Sequence, residues 1–210
     1  MNFTNAAVQS YLETMQPSDH AVLRDMEARA KKENFPAIGP LVGRTCATLT
    51  KAIRGRRVFE LGSGFGYSTF WFARAVGEQG EVVHSEMSPE LSTQARAYLA
   101  RAGLAKRVDF RLGDALKMLQ VDEETWDVVF IDLDKKDYAK AWEAAVPRVK
   151  PGGLILADNT LWSGKVADKT QKDAATKAIR AYNKAALADP NFMTTILPLR
   201  DGVTVSLKLT

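Results

Sequence analysis

The chain has 210 residues, of which 46% are hydrophobic and 26% charged, enough for a core that needs neither disulfides nor structural metal. No apolar run approaches the roughly 20 residues that a bilayer requires, and the single cysteine, Cys46, excludes an internal disulfide and fits a reducing cytoplasm. The net charge of +4 comes from basic residues interleaved with acidic ones, the pattern of a solvated surface and not of a nucleic-acid groove.

Residues 1–5 lack a basic segment followed by an apolar one, so no secretory leader is expected. Up to residue 55 the pattern is helical, punctuated at Pro17, Phe35-Pro36 and Gly39-Pro40, and these helices are expected to cap the sheet. From Val58 onward short β-like runs alternate with longer amphipathic ones, the sign of an α/β fold whose parallel sheet is covered on both faces. Strands are predicted at 57–61, 81–86, 108–112, 126–132 and 153–158. Ser88 as N-cap with Pro89 in the first turn opens a helix that ends near Gly103. Further helices are predicted at 137–146 and at 168–187, the second closed by Asp189-Pro190. Two β-like runs, 191–197 and 203–209, flank the turn 198–202 and predict an antiparallel pair at the sheet edge. No repeat or linker divides the chain, so one domain over 1–210 is expected, with a helical cap at 1–55 and a core at 56–210.

Residues 60–68, ELGSGFGYS, follow the first strand and run into a helix-like stretch at 69–76. Gly62, Gly64 and Gly66 let a ligand lie against bare backbone, and the helix N-terminus beyond them offers unpaired N–H groups. A dinucleotide fingerprint needs G-x-G-x-x-G, whereas here the third glycine falls one place early, which weakens a nicotinamide reading. The acidic Glu60 suits a ligand with a cationic amino group and no phosphate. S-adenosylmethionine is such a ligand.

Ligands of an open parallel sheet bind beyond the carboxyl ends of its strands. Glu86 closes the second strand, 20 residues after Gly66, where a carboxylate can accept both ribose hydroxyls of either cofactor. Asp114 follows the third strand and is placed to meet an adenine edge, to cap the next helix, or to do both. Asp132 ends the apolar run 127–131, and Asp158-Asn159 ends 153–157. If these strands are neighbours, about 4.8 Å apart, the three oxygen-bearing side chains converge on one ion. Two carboxylates there repel unless a hard divalent cation, Mg²⁺, Mn²⁺ or Ca²⁺, joins them. Lys135, three residues after Asp132, is a candidate general base toward a substrate hydroxyl. His20 and His84 stand away from these strand ends and are expected to be structural or exposed.

The glycine loop with Phe59 before it, the stretch 130–135 with Tyr138, the stretch 158–162 and the pair Asp201-Gly202 together resemble the cation-dependent class I O-methyltransferases. These are the catechol and caffeoyl-CoA O-methyltransferases, and the likeness is strongest to their small bacterial members. The resemblance covers nearly the whole chain. It implies a Rossmann-like fold with a seven-stranded, mostly parallel sheet whose last strand is antiparallel. It implies metal binding by Asp132, Asp158 and Asn159, with Lys135 as catalytic base. It sets S-adenosylmethionine against Glu60, Gly62, Ser68, Glu86, Asp114 and Asp132, with Ile38-Gly39 closing over the methionine end. Animal catechol enzymes carry a glutamate where this chain has Thr204, and plant caffeoyl-CoA enzymes carry extra loop sequence for which the compact stretch 162–169 leaves little room. Small free catechols are therefore favoured over acyl-CoA esters. The resemblance also implies a homodimer, with the N-terminal helices as candidate interface. A nicotinamide-dependent oxidoreductase would need a conventional fingerprint and a hydride-site acid. A nucleic-acid methyltransferase would need a base-reading insert or basic groove and no metal triad, and a nonenzymatic cofactor binder would have no need of Lys135 beside Asp132.

Overall fold

The computed structural model describes residues 6–210, so the stretch 1–5 that was read for a leader lies outside the described residues. Seven strands form one sheet: β1 (Arg57–Leu61), β2 (Glu81–Glu86), β3 (Val108–Leu112), β4 (Trp126–Ile131), β5 (Val149–Ala157), β6 (Phe192–Leu197) and β7 (Val203–Lys208). Their order across the sheet is β3-β2-β1-β4-β5-β7-β6. The first five run parallel, and β7 is antiparallel to both β5 and β6. The terminal pair is thus antiparallel, as expected, but the last strand is inserted inside the sheet and β6 alone forms that edge.

Side chains alternate across a strand, and the central strands bury both faces. Val58, Val82, Val128, Phe130 and Leu156 point into one core, whereas Phe59, Leu61, Val83, Val129 and Ile131 point into the other. The first core is covered by α2 (Ala21–Glu33), α3 (Gly39–Ala52), α4 (Tyr67–Ala75) and α5 (Pro89–Arg101). The second is covered by α6 (Ala115–Val121), α7 (Tyr138–Ala145) and α8 (Ala174–Ala188). Helix α1 (Ala6–Met15) precedes them.

Two helices before β1 pack on one face of the sheet. α2 contributes Val22, Leu23 and Met26 to the first core, and α3 contributes Val42 and Cys46. Gly43 permits this packing, because a β-carbon there would lie 2.3 Å from the Trp71 indole of α4. Gly39-Pro40, read as a break, instead opens α3, since proline in the first turn lacks only an N–H that would have no helical partner. The helix predicted from 168 starts at Ala174, because Asp173 caps it by accepting from Thr176 N–H, at 2.9 Å. Asp168 is spent on a tight turn, accepting from the N–H and hydroxyl of Thr170. Both histidines are structural: His20 Nδ1 caps α2 by accepting from Val22 N–H, and His84 is buried in β2.

Candidate active site

The loop after β1 turns on glycines with φ of +87° at Gly62 and +88° at Gly66. A β-carbon on Gly62 would stand 2.3 Å from the Asp132 carbonyl oxygen, so only glycine lets the loop lie this close to the end of β4. The hydrogen-bonded ladder continues past the strand ends: Asp132 N–H donates to Leu61 O at 3.0 Å, and Asp158 N–H to Ile131 O at 3.1 Å. These bonds set Asp132 and Asp158 side by side on the mouth of one open cavity of about 1420 Å³.

Ile38, Gly62, Ser68, Glu86, Asp114, Asp132, Lys135, Asp158 and Asn159 all line that cavity. Glu86 Oε2 accepts from Gly64 N–H and Oε1 from Ser88 N–H, both at 2.9 Å, so one carboxylate ties the glycine loop to the end of β2. Asp114 caps α6 by accepting from Lys117 N–H at 3.1 Å and still borders the cavity. Glu60, expected against the donor, is fully buried and does not line the cavity, and its Oε1 has no hydrogen-bond partner among the described residues. Strand alternation turns its side chain toward α4, where the Thr69 hydroxyl donates to Oε2. Thr204 is also fully buried, opposite Ala157 on β7, and offers a bound substrate nothing.

At the oxygen cluster, Lys135 Nζ donates to Asn159 Oδ1 at 2.6 Å, Tyr138 Oη at 2.9 Å, Leu133 O at 3.1 Å and Asp132 Oδ1 at 3.3 Å. Tyr138 in turn donates to Asp158 O at 2.9 Å, which fixes the hydroxyl lone pairs toward the ammonium. Burial, reinforced by the Asp132 charge, pushes the Asp158 carboxyl up to about 7. Burial also raises Asp132, against the pull of the adjacent Lys135. Asp158 Oδ1 is buried without a hydrogen-bond partner among the described residues. Two mutually repelling carboxylates, an orphaned oxygen and an amide oxygen fit a hard divalent cation. The described residues hold no cluster of three or more His, Cys, Asp or Glu side chains, so a zinc-type ligand set is missing here.

Sequence reasoning assigned no role to Met87, Trp162 or Arg200, which also line the cavity. Met87 follows β2 and is 72% exposed, an apolar surface on the cavity wall whose signal was a large hydrophobic residue just past a strand end. The Trp162 ring centroid lies 5.8 Å from Lys135 Nζ. Arg200 reaches across from the turn before β7 to donate to Ala37 O at 2.8 Å.

A family profile described as O-methyltransferase matches residues 13–209. The catechol O-methyltransferase of Niastella koreensis is 34% identical over 187 residues, 86% of this chain and 84% of that protein. The caffeoyl-CoA O-methyltransferase of Medicago sativa is 32% identical over 219 residues, covering 96% of this chain and 88% of its own length. Among solved structures, the O-methyltransferase from Bacillus cereus in complex with SAH superposes with a TM-score of 0.85 at 31% identity, over 96% of this chain and 97% of that one. With a profile spanning nearly every residue and a relative above 30% identity along most of both chains, the chain belongs to the O-methyltransferase family.

Proposed function

We propose that the chain transfers the methyl group of S-adenosylmethionine to one hydroxyl of a catechol-type aromatic diol, with a divalent cation held by Asp132, Asp158 and Asn159. The observation that carries this reading is the position of Lys135 Nζ, within hydrogen-bond reach of both Asp132 and Asn159. A base at that place can take a proton from a hydroxyl bound at the same oxygens. The cation, Mg²⁺ by preference for oxygen ligands, supplies Lewis acidity that makes a phenol near pKa 10 easier to ionise. Gly62 and Ser68 face the donor, Glu86 receives its ribose hydroxyls, Asp114 its adenine, and Ile38 covers its methionine end. Loss of the Lys135 ammonium proton to solvent would be favoured by charge repulsion from the nearby cation and sulfonium; the neutral Nζ then accepts the phenolic proton, and Tyr138 holds that nitrogen in place through its hydroxyl. The oxyanion then attacks the methyl carbon in line, forming the O–C bond as the S–C bond breaks and S-adenosylhomocysteine leaves.

The test is methyl transfer from labelled S-adenosylmethionine to a panel of catechols and caffeoyl-CoA, with Mg²⁺ or with EDTA. Transfer to catechols that stops in EDTA is expected. Lys135→Ala is expected to lower turnover by about 10² to 10⁴ while leaving donor binding intact. Asp158→Ala is expected to lose calorimetric Mg²⁺ binding as well as turnover. Undiminished transfer in EDTA would remove the metal from the reading, and exclusive use of caffeoyl-CoA would replace the free diol with its acyl ester.

A further inference from the structure

The turn 198–202 between β6 and β7 touches two parts of the cavity that lie far apart in the chain. On one side it holds the loop that follows Asp158 and Asn159: Leu161 N–H donates to Asp201 O at 2.8 Å, Thr160 N–H to Gly202 O at 3.1 Å, and Ser163 N–H to the Asp201 carboxylate. On the other side Arg200 Nη1 donates to Ala37 O at 2.8 Å, and the guanidinium lies against Gly39 so closely that a β-carbon there would stand 3.0 Å from Nη1. The same charge favours the ionised forms of Asp132 and Asp158. Arg200 holds this post from a left-handed backbone conformation, φ +49°, that residues with a side chain seldom adopt.

We infer that Arg200 is a positioning residue that couples the two ends of the cavity, fastening the segment 35–38 at the donor end to the turn that also holds the Asp158–Asn159 loop. Filling either end then favours filling the other, and by linkage the effect is reciprocal. The inference rests on the reading of these ends as donor and cation–diol sites.

Calorimetric titration with S-adenosylhomocysteine tests it, with and without Mg²⁺ plus a catechol, on the wild-type chain, Arg200→Gly and Arg200→Lys. Glycine removes the guanidinium and suits the left-handed backbone, so its melting temperature is expected to match the wild type. The wild type is expected to gain about tenfold in affinity when Mg²⁺ and catechol are present, and Arg200→Gly less than about threefold. Arg200→Lys keeps the charge and should recover part of the gain; it also serves if the glycine variant does not fold. An undiminished gain in the variants overturns the inference, as does a wild type that binds the product but shows no gain. A wild type that binds no S-adenosylhomocysteine overturns the donor reading itself.

Discussion

Glu60, Thr69 and His84 form a buried line behind the glycine loop. The Thr69 hydroxyl donates to Glu60 Oε2, and its oxygen lies 3.1 Å from His84 Nδ1. Burial holds the His84 imidazole down to about 4 and pushes the Glu60 carboxyl up to about 7, where hydroxyls of Ser68, Thr69 and Ser63 restrain it. Below its ordinary value of 6.5 a histidine charges in the unfolded chain first, so its contribution to stability falls as pH drops from about 6.5 to 4. Glu60 ionises first in the unfolded chain, so its contribution falls as pH rises from 4.5 to about 7. Between pH 4.5 and 6.5 the two slopes oppose. Plotted as differences from the metal-free wild type, whose raised Asp158 carboxyl titrates in the same window, urea midpoints should show Glu60→Gln gaining about 1 to 3 kcal/mol with rising pH and His84→Gln losing a similar amount. A level line for both variants would show that neither group titrates as its burial requires. None of this line was legible in the sequence, because Glu60 looked like the opening of a ligand loop until strand alternation turned it inward. Asp132, Asp158 and Asn159 were legible: each sits just past the end of a strand recognisable by its apolar run.

At the scale of elements, the parallel strands were readable because burial on both faces demands nearly continuous apolar sequence, as in Val128 to Ile131. Helix starts were less so. The segment before α8 offers two aspartates, Asp168 and Asp173, each followed by polar residues that either could cap. The choice was made by Arg180, whose guanidinium donates to the carbonyls of Lys165, Val166, Asp168 and Gln171 and holds that stretch out of helical form. Asp173→Ala should therefore cost about 1 kcal/mol of stability in chemical denaturation, by removing the cap on Thr176 N–H. Asp168→Ala should cost less, since it ties only an exposed turn. Equal effects would place the helix start wrongly. The insertion of β7 between β5 and β6 was likewise unreadable, because pairing partners of an antiparallel strand leave no local mark.

For the molecule as a whole, the cavity lies where a parallel sheet places it, beyond the carboxyl ends of β1, β2, β4 and β5. That location followed from the fold class, but the long-range ties did not: Arg200 and Ala37 are 163 positions apart. α1 exposes Val8, Tyr11 and Met15 on one helical stripe, at 48%, 62% and 61%. The homodimer that the family resemblance implies would cover this stripe. Sedimentation should show a dimer for the wild type and a shift toward monomer for Tyr11→Glu; an unchanged species would move the interface elsewhere. The ammonium of Lys135 has a consequence apart from the proton transfer proposed for its neutral form. Lodged among Asp132, Leu133 O and Asn159, it acts as a resident counter-ion, so the acidic pocket is not left bare when no metal is bound. EDTA should then abolish turnover while lowering the melting temperature by no more than about 2 °C, and a larger fall would mean that the metal ion props up the scaffold itself.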